Sequence, residues 1–150
     1  TWNGWRAGLF LQGQSQNGTI IKLANNTTGF GNASSPLPMI KTGSEGTGFT
    51  NGGGNQAFRH YIRNLTLDVG SGNPGAIGID YMVNNRGAIE DVTIRSSDPN
   101  GAGYTGLAMD RGWPGPGMVR RVTVEGFEYG ISLRSQAQYS MVLKQISVSN

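Results

Sequence analysis

Short runs of alternating apolar and polar residues recur along the chain, and four of them match closely. Ile62-Arg63-Asn64-Leu65-Thr66-Leu67 is followed by Ile89-Glu90-Asp91-Val92-Thr93-Ile94, Val119-Arg120-Arg121-Val122-Thr123-Val124 and Leu143-Lys144-Gln145-Ile146-Ser147-Val148, at spacings of 27, 30 and 24 residues. Alternation with period two places successive side chains on opposite faces of a strand. Between these runs lies a second unit: Gly78-Ile79, Gly106-Leu107 and Gly130-Ile131, continuing in alternation through Tyr81, Met109 and Leu133. A third apolar segment introduces each new repeat, as in Ala88-Ile89, Met118-Val119 and Met141-Val142. Three short strands per period predict the coils of an all-β parallel β-helix, stacked at about 4.8 Å.

The alternation also assigns the interior. Leu65 and Leu67 point inward, with Val92 and Ile94, Val122 and Val124, and Ile146 and Val148 stacked on them. Thr66, Thr93, Thr123 and Ser147 lie between them as a ladder on a solvated face. Asn64, Asp91, Arg121 and Gln145 share one position, read as a bend where polar side chains satisfy backbone groups. Arg63, Glu90, Arg120 and Lys144 precede the bend, so Glu90 falls between two arginines as a surface charge ladder. The whole of 1–150 reads as one domain of about five coils. Residues 58–150 make the regular coils, and 1–57 the irregular early ones, with strands expected in 18–23 and 38–41. The pattern is still running at Asn150, so the chain is expected to be a fragment of a longer protein.

Composition narrows the function classes. The chain has 25 glycines among 150 residues, which disfavours long helices and suits the corners between stacked strands. A hydrophobic fraction of 36% excludes a disordered chain. Net charge is +3 with only 14% charged residues, and nine arginines and three lysines stand mostly singly. No nucleic-acid partner is expected from that scatter. No apolar run is long enough to span a membrane, so no membrane partner is expected either. The absence of cysteine excludes disulfides and thiolate metal sites. No cofactor and no metal is implied.

Candidate chemistry lies on the outward side of the Gly-Ile strand. Asp80 and Asp110 fall on one face, one coil apart and two residues displaced, roughly 8 Å from each other. That spacing suits the carboxylate pair of an inverting glycosidase, so they are the candidate catalytic residues. Read structurally, they are solvated ladder residues. Arg134, one coil further on, is a candidate to bind a sugar carboxylate or hydroxyl. Trp113 and Tyr104, placed in loops, are candidates to stack on sugar rings, and Trp2 and Trp5 lie near the start of the chain. His60 reads as structural. The glycine loops Gly43–Gly48 and Gly52–Gly54 lack the Gly-Lys-Ser/Thr ending and the strand-to-helix junction of a phosphate cradle.

Gly13-Gln14 with Gly18-Thr19-Ile20-Ile21-Lys22-Leu23 resembles an early coil of the pectate-lyase superfamily. Ile62–Asp68 with Asn73–Tyr81, and Gly106–Asp110 with Gly126–Ile131, are similar to its central coils. That group of right-handed, pectin-lyase-like parallel β-helices includes rhamnogalacturonase/epimerase-like proteins and glycoside hydrolase family 55 β-1,3-glucanases, so the resemblance implies a right-handed solenoid here. The resemblance runs from about Leu9 to Asn150. It implies an extracellular or cell-surface protein with a glycan groove along the helix, acting on a polysaccharide or oligosaccharide as a glycoside hydrolase or lyase. A non-catalytic carbohydrate-binding, adhesin or tail-spike β-helix is the alternative. The Gly-Asp-Gly-x-x-Asp-Asp-Thr-like opening and the polygalacturonase pattern of Asn-Thr-Asp, Asp-Asp and Gly-His-Gly do not occur here. No catalytic residue carries over by motif, and the family's own are expected in later coils.

Overall fold

The computed structural model describes residues 8–43, 57–112, 114–135 and 138–150. These contain ten strands: β1 (Phe10–Gln12), β2 (Ile20–Lys22), β3 (Leu37–Lys41), β4 (Tyr61–Asp68), β5 (Ala76–Asp80), β6 (Gly87–Arg95), β7 (Gly103–Ala108), β8 (Gly117–Glu125), β9 (Phe127–Ser132) and β10 (Met141–Ser149). Every strand pairing is parallel. Sheet A runs β1-β4-β6-β8-β10, with β2 also on β4, and sheet B runs β3-β5-β7-β9. The chain alternates between the two sheets and rises one layer per circuit. It is a parallel β-helix of about three regular turns, β4–β5, β6–β7 and β8–β9. A first layer of β1, β2 and β3 precedes them and β10 follows. The five coils expected from the repeats are thus five layers of sheet A over four of sheet B.

The third strand per turn is present as half of a long one. Asn64, Asp91, Arg121 and Gln145 have φ of 54°, 55°, 51° and 56°, in the left-handed region. Pairing passes over all four, so each long sheet A strand bends there into two straight halves. β1 lies on the first half of β4 and β2 on the second. Asn and Asp adopt this conformation most readily among non-glycine residues. At Arg121 the bend is held by two 2.6 Å bonds from its guanidinium to Asp91 one layer below.

The predicted interior column is in place: Leu65, Leu67, Val92, Ile94, Val122 and Val124 are all buried. On the last layer Ile146 is half-buried and Val148 is exposed, because β10 pairs with β8 along one edge only. Three expectations need correction. Thr66 is buried rather than solvated: its hydroxyl donates to the Gln16 carbonyl at 2.7 Å, and the Gln16 amide reaches Thr93 at 3.0 Å. The segment between β1 and β2 therefore covers the start of the ladder. Glu90 is also buried rather than part of an open surface ladder, with Arg63 and Arg120 each 2.6 Å away.

The third concerns glycine. Gly70, Gly72, Gly101, Gly115 and Gly126 do sit in corners with positive φ. Gly78, Gly106 and Gly130 do not. A Cβ at these three would lie 2.3, 2.2 and 2.2 Å from the side chains of Ile94, Val124 and Val148 across the core. The two sheets meet closely here, and glycine is what lets them. Ile79 and Leu107, the next residues, are fully buried as well, and pairing passes from Ile77–Thr105 to Ile79–Leu107. Strict alternation from the glycine therefore fails.

Candidate functional site

The C-terminal ends of the sheet B strands line up in register as Asp80, Ala108 and Ser132. Asp110 follows two residues after the end of β7. The structure brings Asp80 and Asp110 to the same edge in adjacent layers, and gives each its own arginine. Arg111 donates through Nε to Asp80 at 2.8 Å. Its Nη2 reaches the Asp80 carbonyl at 3.1 Å and the Thr42 carbonyl. One guanidinium thus ties together the ends of β3 and β5 and the segment after β7.

Asp110 accepts from the Ser132 hydroxyl at 2.7 Å, the Arg134 amide at 2.7 Å, and the Arg134 guanidinium at 3.0 and 3.2 Å. Burial pushes its pKa up, and the bonds from the Arg134 amide, Ser132 and the Arg134 guanidinium outweigh it. The net shift is below the ordinary carboxylate value. Asp110 is therefore ionised at neutral pH. The pKa of Arg134 is raised, first by its bond to Asp110, with Tyr104 a further hydrogen-bond partner.

Tyr104 lies within β7 rather than in a loop. Its ring meets that of Tyr129 edge-on, with centroids 5.6 Å apart at 73°. The Arg134 guanidinium sits 5.8 Å from the Tyr129 ring centre. Tyr129 is 44% exposed, and its register partner Thr105 is buried. Tyr104, Tyr129, Arg134, Asp110 and Ser132 form one continuous cluster on the outside of sheet B, a planar cation and two rings beside a carboxylate. Sequence reasoning missed Tyr129. Its repeat equivalents are the half-buried Ile77 and the buried Thr105, and its exposure comes with its place on β9, the last strand of sheet B.

Other candidates fall elsewhere. Trp113, Trp2, Trp5 and the glycine run 52–54 lie outside the described residues, as does nearly all of the 43–48 run. His60 is buried, and its Nδ1 accepts from the Leu9 amide at 3.2 Å while its carbonyl receives the Tyr81 hydroxyl at 2.9 Å. That is a packing role. Among the described residues no cluster of three or more His, Cys, Asp or Glu side chains is arranged to hold a metal.

A parallel helix of this kind, with polar and aromatic residues gathered outside one sheet, invites comparison with known families. The family model described as "Rhamnogalacturonase A/epimerase, pectate lyase-like" matches residues 6–150. The chain belongs to this family. It is accordingly a pectate-lyase-like domain from a family that acts on polysaccharides. No curated protein and no solved structure matches it in the corresponding comparisons.

Proposed function

We propose that this pectate-lyase-like domain acts on a polysaccharide outside the cell, as a glycoside hydrolase or lyase, with the glycan laid across the outer face of sheet B. The observation that carries the reading is the Tyr104–Tyr129–Arg134–Asp110 cluster. Exposed tyrosine suits the apolar C–H face of a sugar ring, and a planar guanidinium suits a carboxylate or a pair of hydroxyls. Trp113, two residues after Arg111, joins the proposal on sequence position alone. Asp110, ionised and hydrogen-bonded, serves as acceptor or base. Asp80 and Asp110 remain the proposed carboxylate pair.

One observation favours a second reading, a non-catalytic glycan holder. Arg111 and Arg134 occupy both carboxylates, and a carboxylate of lowered pKa such as Asp110 is a poor proton donor.

A panel of oligosaccharides tests both. New reducing ends without ultraviolet absorbance mark a hydrolase, new reducing ends with an ultraviolet-absorbing unsaturated end mark a lyase, and binding without product marks a holder. Tyr129→Ala is expected to weaken glycan binding by about tenfold, within the range of a lost stacking contact. Undiminished binding by that variant defeats the placement on sheet B.

A further inference from the structure

Away from sheet B's outer face, the corner that leads from sheet B into sheet A carries a groove of its own. Phe58 pairs with Asn84 there, and the Arg59 amide donates to the Asn84 carbonyl at 3.0 Å, so two layers of this corner are locked together. The groove, about 700 Å³, is lined by Gly8, Phe58, Arg59, Asn85, Arg86 and Pro116. Arg86 and Pro116 also line a neighbouring trough of about 430 Å³ on the first half of sheet A. The buried methyl of Ala88 forms the trough's floor, in register between Tyr61 and Met118.

Two independent features distinguish this corner. Arg59, Asn85 and Arg86 hold φ of 58°, 51° and 74°, a conformation that disfavours a long side chain by about 1–2 kcal/mol per residue. Other corners of the same helix hold it with glycine or with the short side chains of Asn26 and Ser140. The second feature is charge. Of the eight arginines among the described residues, Arg63, Arg95, Arg111, Arg120, Arg121 and Arg134 each have a carboxylate partner. Arg59 and Arg86 have none among the described residues, and both line this groove. Strained backbone concentrates where function requires it, and here Arg59 and Arg86, without a carboxylate partner among the described residues, line one groove.

We propose that this corner is a second, anion-selective glycan site, in which Arg59 and Arg86 take the carboxylate or sulfate groups of an acidic oligosaccharide. Asn85 offers amide hydrogen bonds to hydroxyls. Ala88, Met118 and Val142 give the apolar wall for the sugar's C–H face. A nucleic acid fits less well. Two unpaired guanidiniums neutralise about two phosphates, far fewer than the 6–10 of a typical strong binder. The Arg63 guanidinium already covers Tyr61, 4.7 Å from its ring centre, so an open stacking platform for bases is missing.

The test is calorimetric titration of the full chain with four probes. These are a tetrameric uronate oligosaccharide, a sulfated oligosaccharide of the same length, their neutral counterpart, and a single-stranded DNA oligomer. An acidic oligosaccharide is expected to bind at least about tenfold tighter than the neutral one. The uronate or sulfate that binds better identifies the anionic group. The double variant R59G/R86G is expected to lose at least about tenfold in that affinity. Glycine accepts both φ values, so the variant's melting temperature stays the same or rises, separating lost binding from lost fold. R59G/R86G loses the same affinity in a Tyr129→Ala background, which keeps the outcome distinct from that of the sheet B face. Equal affinity of the double variant, equal binding of the neutral sugar, or preference for DNA overturns the proposal.

Discussion

Gly106→Ala probes the close approach of the two sheets. The added methyl would stand 2.2 Å from Val124 Cγ1 and 2.8 Å from the Gly130 carbonyl oxygen in the next layer. Ordinary carbon–carbon contacts are about 3.5–4.0 Å, so the sheets must part by about 1.5 Å at this layer. The Gly130 oxygen belongs to the backbone of a paired strand, so it cannot swing aside as a side-chain tip does. Opening also loosens Leu107, Val122 and Val124, all buried in the same core. Overpacking of this kind destabilises by about 1–3 kcal/mol, and the backbone clash places this case in the upper half. Gly112→Ala is the control, since a Cβ there meets nothing within 4 Å. Urea unfolding followed by circular dichroism measures both variants. Gly106→Ala should lower the midpoint clearly while Gly112→Ala stays within about 0.5 kcal/mol of the parent. Adding Val124→Ala to Gly106→Ala should recover part of the loss, with a coupling energy of about 0.5–3 kcal/mol. If Gly106→Ala is as harmless as the control, the glycine column is not an inter-sheet contact and the reasoning fails.

Glu90→Gln removes the charge that both Arg63 and Arg120 face, and should cost about 2–3 kcal/mol in thermal unfolding. That is below the loss expected for a fully buried pair, because the arginines are a third exposed. A loss under about 0.5 kcal/mol would make the ladder a surface feature after all. The folded-state pKa of Asp110 lies below its unfolded value of about 3.9. Its stabilisation is therefore complete above that value and is lost as pH falls through the lower folded value. The stability gap between the parent and Asp110→Asn should then be constant from about pH 6 to 8 and close below about pH 4; a gap that widens on acidification would reverse the sign. On β10, Val142 and Val148 are exposed beside an edge that pairs with β8 only. Concentration-dependent association in light scattering is expected, and Val148→Lys should reduce it. A monodisperse monomer at all concentrations would contradict this.

The solenoid was legible because its signal is repetition. Ile62, Ile89, Val119 and Leu143 mark the layers, and the structure pairs them in register. The bend at Asn64 and its equivalents could be read because polar residues recur where inward-facing ones flank them. What could not be read depends on non-repeating contacts. Thr66 repeats with Thr93, yet only Thr66 is buried, because the loop at Gln16 has no periodic signature. The inward turn of Gly78 and Gly106 was hidden because a glycine has no side chain whose polarity reveals a face. At the site, the repeats put Asp80 at the end of β5 and Asp110 just past β7 in the adjacent layer. They could not show that Arg111 and Arg134 would bond to the two carboxylates, since those partners arise from segments just past β7 and β9.

The most direct test of the central claim is a backbone amide NMR titration of the full chain with the oligosaccharide that binds best to the sheet B face. The account predicts the largest shifts at Tyr104, Tyr129, Ser132 and Arg134, vanishing in Tyr129→Ala. Shifts confined to other surfaces, or unchanged by that substitution, would contradict it.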